Sequence, residues 1–170
     1  FCPGGKLAVR DGDRVVGPLN RLAAQAQQAG ARVVASRDWH PPDHVSFAER
    51  GGSWPLHCVR ETDGAEFHQK LELPEQTLVV SKATSADTDA YSAFDGTGLA
   101  DKLRSWGIKR VFVGGLALDY CVKATVLDAL AEGFDVHLVQ AATRPVDVRD
   151  GDGRRAVQEM LRAGAVVEEG

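Results

Sequence analysis

Apolar residues along the chain recur in two patterns, and the patterns alternate. Leu19, Leu22, Ala23, Ala26 and Ala29 return at the spacing of an amphipathic helix, with Pro18 suited to its first position and Gly30 to its end. A short run over residues 31–36, centred on Val33 and Val34, then predicts a strand. The alternation continues with a strand at 77–81, a helix at 99–106, a strand at 109–113 and a helix at 121–132. The last of these carries Val122, Val126, Ala129 and Leu130 on one face and stops at Gly133. A strand at 134–139, a helix at 154–163 and a strand at 165–167 complete the series. Near-continuous apolar strands separated by helices predict a mainly parallel sheet covered on both faces, a doubly wound α/β three-layer sandwich. There is no internal repeat or low-complexity linker, and 170 residues suit one domain spanning 1–170.

Composition narrows the function classes. The 20 Lys and Arg against 24 Asp and Glu leave a net charge of −4, which offers no footprint for nucleic acid or an anionic membrane. No apolar run approaches the roughly 20 residues of a membrane helix. Cys2, Cys58 and Cys121 are too few and odd in number for a disulfide framework, so a reducing cytoplasm is expected. The oligomeric state is left open, a homo-oligomer included.

In doubly wound sheets, ligands sit beyond the carboxyl ends of the strands. Those positions hold Asp38 and His40 after the first strand, Lys82 after the second, and Cys121 after the Gly114–Gly115 turn. Asp38 and His40, one residue apart in an extended segment, face the same way and suit a divalent metal. His57 lies in the same proline-containing loop region, residues 37–65, whose length suggests function. By spacing alone a histidine-rich solvated loop is the competing reading. Cys121 is expected to open a helix, where the N-terminal dipole lowers a thiol pKa and holds an oxyanion. A buried structural cysteine is the alternative, as a surface lysine is for Lys82. His68 and His137 carry no assigned role, His137 being expected as a satisfied strand residue.

Several segments together carry a family resemblance. They are Phe1-Cys2-Pro3-Gly4-Gly5, Asp38-Trp39-His40-Pro41, His44-Val45-Ser46-Phe47-Ala48, and Trp54-Pro55-Leu56-His57-Cys58-Val59. Further on come Lys82, Asp89-Ala90-Tyr91-Ser92-Ala93-Phe94 and Gly115-Leu116-Ala117-Leu118-Asp119-Tyr120-Cys121-Val122. The chain resembles, essentially end to end, the nicotinamidases and pyrazinamidases of the isochorismatase-like cysteine hydrolase superfamily. The resemblance implies hydrolysis of nicotinamide to nicotinate and ammonia, and of pyrazinamide, in NAD salvage. Cys121 would attack the carboxamide carbon and pass through a thioester. Lys82 would support the thiolate, and the N–H groups of Ala117 and Cys121 would form the oxyanion hole, beside a cis peptide at Leu116–Ala117. Asp38, His40 and His57 would hold zinc or iron, manganese being compatible, with His44 a fourth ligand in some members. The segment between His40 and His44 is shorter here than in those members. Phe1, Trp54 and Tyr91 would line an aromatic slot for the ring.

One departure stands out. The family's first strand ends in an Asp that serves as base for the cysteine, a few residues before the segment where this chain begins. With Phe1 first and Met160 the sole methionine, the sequence is expected to lack its start, and with it a central strand and that base. Another small-amide hydrolase of the superfamily, or an inactive paralogue that only binds a ligand or partner, are the alternatives.

Overall fold

The computed structural model describes residues 1–169. Among these residues are four helices and five strands. They are α1 (Val16–Gln28), β1 (Val34–Asp38), β2 (Leu78–Lys82), α2 (Leu99–Ser105), β3 (Arg110–Leu116), α3 (Lys123–Ala131), β4 (Asp135–Arg144), α4 (Asp152–Ala163) and β5 (Val166–Glu168). Every strand pairing is parallel, as the apolar runs predict. The pairs fall into two sheets, β1–β2 and β3–β4–β5, and no strand pairing joins them among the described residues.

Each helix stops by the same device. A left-handed glycine (Gly30, Gly107, Gly133 or Gly164) lets the next N–H reach back to a carbonyl of the last turn, as Ala31 does to Ala26 at 2.8 Å. The core lies where α3 and α4 cover β3–β4. There Val126, Ala129, Val136, Leu138 and Met160 are inaccessible to solvent. On the other side α1 meets the sheet at Gly114, where an added Cβ would lie 3.1 Å from Leu19 and 3.0 Å from Ala142, so helix and sheet approach more closely there than a side chain ordinarily allows.

Some boundaries differ from the expectation. The helix expected from Pro18 begins at Val16, which puts Pro18 third; its missing N–H still falls among the first-turn donors that have no helical partner. The first strand starts at Val34 rather than Ala31, where its β2 partner starts. β4 runs to Arg144 instead of ending at Val139, because a register shift between Val113 and Gly115 lets Thr143 and Arg144 resume the pairing. Cys121 does not open a helix. It is the fourth residue of a π-helical turn, Leu118–Val122, closed by the Val122 N–H donating to the Ala117 carbonyl at 3.0 Å, and α3 follows.

Candidate active site

Parallel register creates the first contact. Asp38 pairs with Lys82 at the carboxyl ends of β1 and β2, so their side chains emerge together. Both are buried, and the Lys82 ammonium donates a short hydrogen bond to Asp38 Oδ1. It also donates to the Ala90 carbonyl at 3.2 Å and lies 3.4 Å from Cys121 Sγ. Burial alone would lower the Lys82 pKa, but the charge of Asp38, together with the hydrogen bonds to Asp38 and Cys121, raises it overall. Lys82 is therefore an ammonium, held between a carboxylate and the thiol.

The loop after β1 folds the histidines onto the other face of Asp38. His40 N–H donates to the Cys58 carbonyl at 3.0 Å and Arg60 N–H to the His40 carbonyl at 2.8 Å, which stitches the loop beside His57. His57 donates through Nδ1 to the Pro55 carbonyl at 2.7 Å, leaving the Nε2 lone pair free. Asp38, His40 and His57 each offer a ligand atom, all within 4.8 Å of one another. The fit to a divalent metal rests on two further features. His40 Nδ1 is buried with no hydrogen-bond partner, a costly state for a polar atom. Both imidazoles are also kept neutral, the ligating form: burial lowers His40 to about 4, against the pull of Asp38, and lowers His57 as well.

His44 does not join this set. Its Nδ1 accepts from the Ser46 N–H at 3.2 Å and lies 2.8 Å from Ser46 Oγ, while Nε2 lies 3.2 Å from the Thr88 carbonyl. With both nitrogens engaged, the ring packs against His40 with centroids 4.3 Å apart. The sequence reading also missed Phe47, which is buried edge-on against His40, His44 and His57 at 5.4, 5.8 and 5.6 Å. It forms the apolar floor of the imidazole cluster.

These groups open into a pocket enclosing about 410 Å³, part of it open to solvent, that brings Asp38, His40, His57, Lys82, Ala117 and Cys121 together. Phe1, Trp54 and Tyr91 line it as expected, and so does Tyr120, which was not anticipated. Trp54 Nε1–H donates to the Tyr91 hydroxyl at 2.8 Å, and the Trp54 and Tyr120 rings meet edge-on at 4.9 Å. The peptide Leu116–Ala117 is cis. The thiol corrects the helix-dipole expectation: burial pushes Cys121 up to about 11, outweighing Lys82 and the Ala117 N–H, which lower it. Cys58, buried and near Asp38, is pushed up to about 12, the state of an inert thiol. His68 is half-buried and opens a turn closed by the Leu71 N–H donating to its carbonyl at 2.8 Å, and His137 bonds Glu168 at 2.6 Å, the satisfied strand residue expected. No helix among the described residues is long and apolar enough to cross a membrane.

Comparison with known proteins gives the same picture. The isochorismatase domain profile matches residues 1–169. The nicotinamidase of Escherichia coli (strain K12) is 40% identical over 188 residues, covering 98% of this chain and 88% of that protein. The crystal structure of the pyrazinamidase of Pyrococcus horikoshii in complex with zinc superposes with a TM-score of 0.95 at 46% identity, over 100% of this chain and 93% of that one. PnC1 from L. infantum in complex with nicotinate gives 0.88 at 36% identity, over 99% and 85%. The chain belongs to the isochorismatase family and groups within it with the nicotinamidases and pyrazinamidases.

Proposed function

We propose that the protein is a nicotinamidase, hydrolysing nicotinamide to nicotinate and ammonia, and pyrazinamide likewise, with Cys121 as nucleophile. The observation that carries this reading is one pocket lined by a thiol, a lysine 3.4 Å from it, three convergent metal ligands and a wall of aromatic rings. A flat ring with a basic nitrogen and one carboxamide matches that set of groups. Phe1, Trp54 and Tyr91 bind the ring by its faces and edges.

Asp38, His40 and His57 hold the metal, for which we propose zinc, the ion in the P. horikoshii relative; iron and manganese also tolerate a carboxylate and two imidazoles. When bound, it supplies a coordination point for the pyridine nitrogen, directly or through water. The remaining chemistry belongs to the chain. As Sγ of Cys121 bonds to the carboxamide carbon, the Lys82 ammonium passes one of its protons to Asp38 Oδ1 and takes the thiol proton in its place, and the carbonyl electron pair moves onto oxygen. The N–H groups of Ala117 and Cys121 hold that oxyanion. Collapse breaks the carbon–nitrogen bond, and the departing nitrogen takes up the proton to leave as ammonia. Water then hydrolyses the thioester, giving nicotinate and restoring the thiol. A thiol that rests at about 11 is nearly all protonated at neutral pH, so the ammonium of Lys82 must stabilise the thiolate as it forms.

The test is ammonia release from nicotinamide, pyrazinamide and small carbamoyl compounds by protein reconstituted separately with zinc, iron and manganese. Turnover of nicotinamide and pyrazinamide is expected, with little of the carbamoyl compounds. A preference for the carbamoyl compounds would replace this reading with another small-amide hydrolase, and no turnover with any metal would favour a binding protein.

A further inference from the structure

We propose that Asp119 is a positioning residue of this site: it ties the turn that carries Cys121 to the loop that carries Val146, and so sets the gap between nucleophile and pocket wall. Asp119 sits in the π-helical turn two residues before Cys121, yet it is absent from the pocket lining. Its carboxylate is buried and has no cationic partner among the described residues. Instead both oxygens are used on one loop. Oδ1 accepts from the Val146 N–H at 2.8 Å and Oδ2 from the Asp147 N–H at 2.9 Å. Burying a carboxylate is expensive, and two amide donors side by side are what satisfies it.

The loop is built to present those amides. Asp147 is left-handed at φ 53°, unusual for a residue with a side chain. Its own Oδ1 accepts from the Gly153 N–H at 2.7 Å in the first turn of α4. At Gly153 an added Cβ would come within 2.7 Å of Pro145, so the loop is pressed onto the helix start. A continuous path therefore runs from α4 through Asp147 to Asp119, with Val146 lining the same pocket as Cys121. Asn or Ser at 119 keeps a single acceptor, so one of the two adjacent loop amides loses its partner, and Val146 loses its fixed position on the pocket wall.

The proposal takes its first assay from the amidase reading above, and a second assay is independent of it. A double-mutant cycle joins Asp119→Asn and Val146→Ala, with cooperative unfolding and metal content checked for each variant. A 1 Å misplacement costs on the order of 100-fold in rate, so Asp119→Asn is expected to lower kcat/KM for nicotinamide by about 30-fold or more. Val146→Ala is expected to cost about tenfold in the wild type and about nothing in the Asp119→Asn protein, since coupled residues are not additive. In parallel, iodoacetamide alkylation of Cys121 is followed by peptide mass spectrometry. Val146→Ala should speed it in the wild type and leave it unchanged in Asp119→Asn. If the wild type fails to hydrolyse nicotinamide, the amidase reading falls, and the alkylation cycle still decides this one. Should Asp119→Asn not fold, Asp119→Ser, which keeps one acceptor, replaces it. A folded Asp119 variant within threefold of wild type, effects that multiply, or failure of both variants to fold would each overturn the proposal, the last by assigning Asp119 to stability.

Discussion

Acidifying the metal-free protein from pH 7 to pH 5 should cost about 2 kcal/mol of stability through His40 alone. Burial holds His40 at about 4 in the folded protein, while in the unfolded chain it titrates near 6.5. Between those values the unfolded chain carries the proton and the folded chain does not, so stability falls as pH falls. Above pH 6.5 both states are neutral and His40 contributes nothing. The full gap corresponds to about 3 kcal/mol at 1.36 kcal/mol per pKa unit, of which about 2 kcal/mol has been lost by pH 5. His57, also lowered by burial, acts in the same direction. For a chain of this size the loss reads as a fall in Tm of about 4–8 °C. The assay is urea unfolding of chelator-treated protein at pH 7, 6 and 5, beside His40→Gln, which cannot take up the proton. The variant should show a shallower acid profile. Zinc at 100 times its Kd should add about 2.7 kcal/mol at pH 7 and less at pH 5, where protons compete for the same lone pairs. Equal acid sensitivity in His40→Gln, or a flat profile in the wild type, would refute the assignment of His40 as a buried neutral ligand.

Three further outcomes follow from the same geometry. Cys121→Ala should abolish ammonia release while Cys58→Ser keeps measurable turnover, since only Cys121 lies beside Lys82; normal turnover by Cys121→Ala would rule out a covalent route. Lys82→Met should lower kcat by 10²–10⁴-fold and, in metal-free protein, cost about 3–5 kcal/mol because Asp38 is left buried and unpaired; zinc should restore much of that stability and none of the rate. Gly52→Ala should lower Tm and metal content together, because the new Cβ would lie 2.1 Å from the Ser46 carbonyl oxygen and displace the segment that carries Phe47; unchanged zinc stoichiometry would separate Phe47 from the site.

How far the chain discloses this arrangement depends on how local each feature is. Asp38, Lys82 and Cys121 were legible because strand ends are marked by where apolar runs stop, and doubly wound sheets put ligands there. The pairing of Asp38 with Lys82 is a matter of register, which no local pattern states. Phe47 and Tyr120 stand in the segments that carry the resemblance without a role of their own, because nothing within a few residues shows that three imidazoles or two aromatic rings will converge on them. Phe47 has one sequence trace, lying between His44 and His57 in a loop region too long for a simple connection. The thiol shows the same limit from the other side. The dipole argument for Cys121 counts only its own turn, whereas the burial that wins depends on how the whole chain packs. The family resemblance offered His44 as a fourth ligand, against a short His40–His44 spacing; Ser46 and Thr88 engage its nitrogens and leave it a buried neighbour.

The site, finally, is assembled from the ends of distant strands. Asp38 and Lys82 stand at the ends of β1 and β2, Cys121 follows β3, and the 3.4 Å contact between Lys82 Nζ and Sγ joins them. A displacement of an ångström between these strand ends leaves every helix and strand intact while parting the ammonium from the sulfur. Catalysis should therefore fail before the fold does: on slow heating, ammonia release should disappear several degrees below the loss of far-ultraviolet ellipticity, and nicotinate bound in the pocket should draw the two curves together.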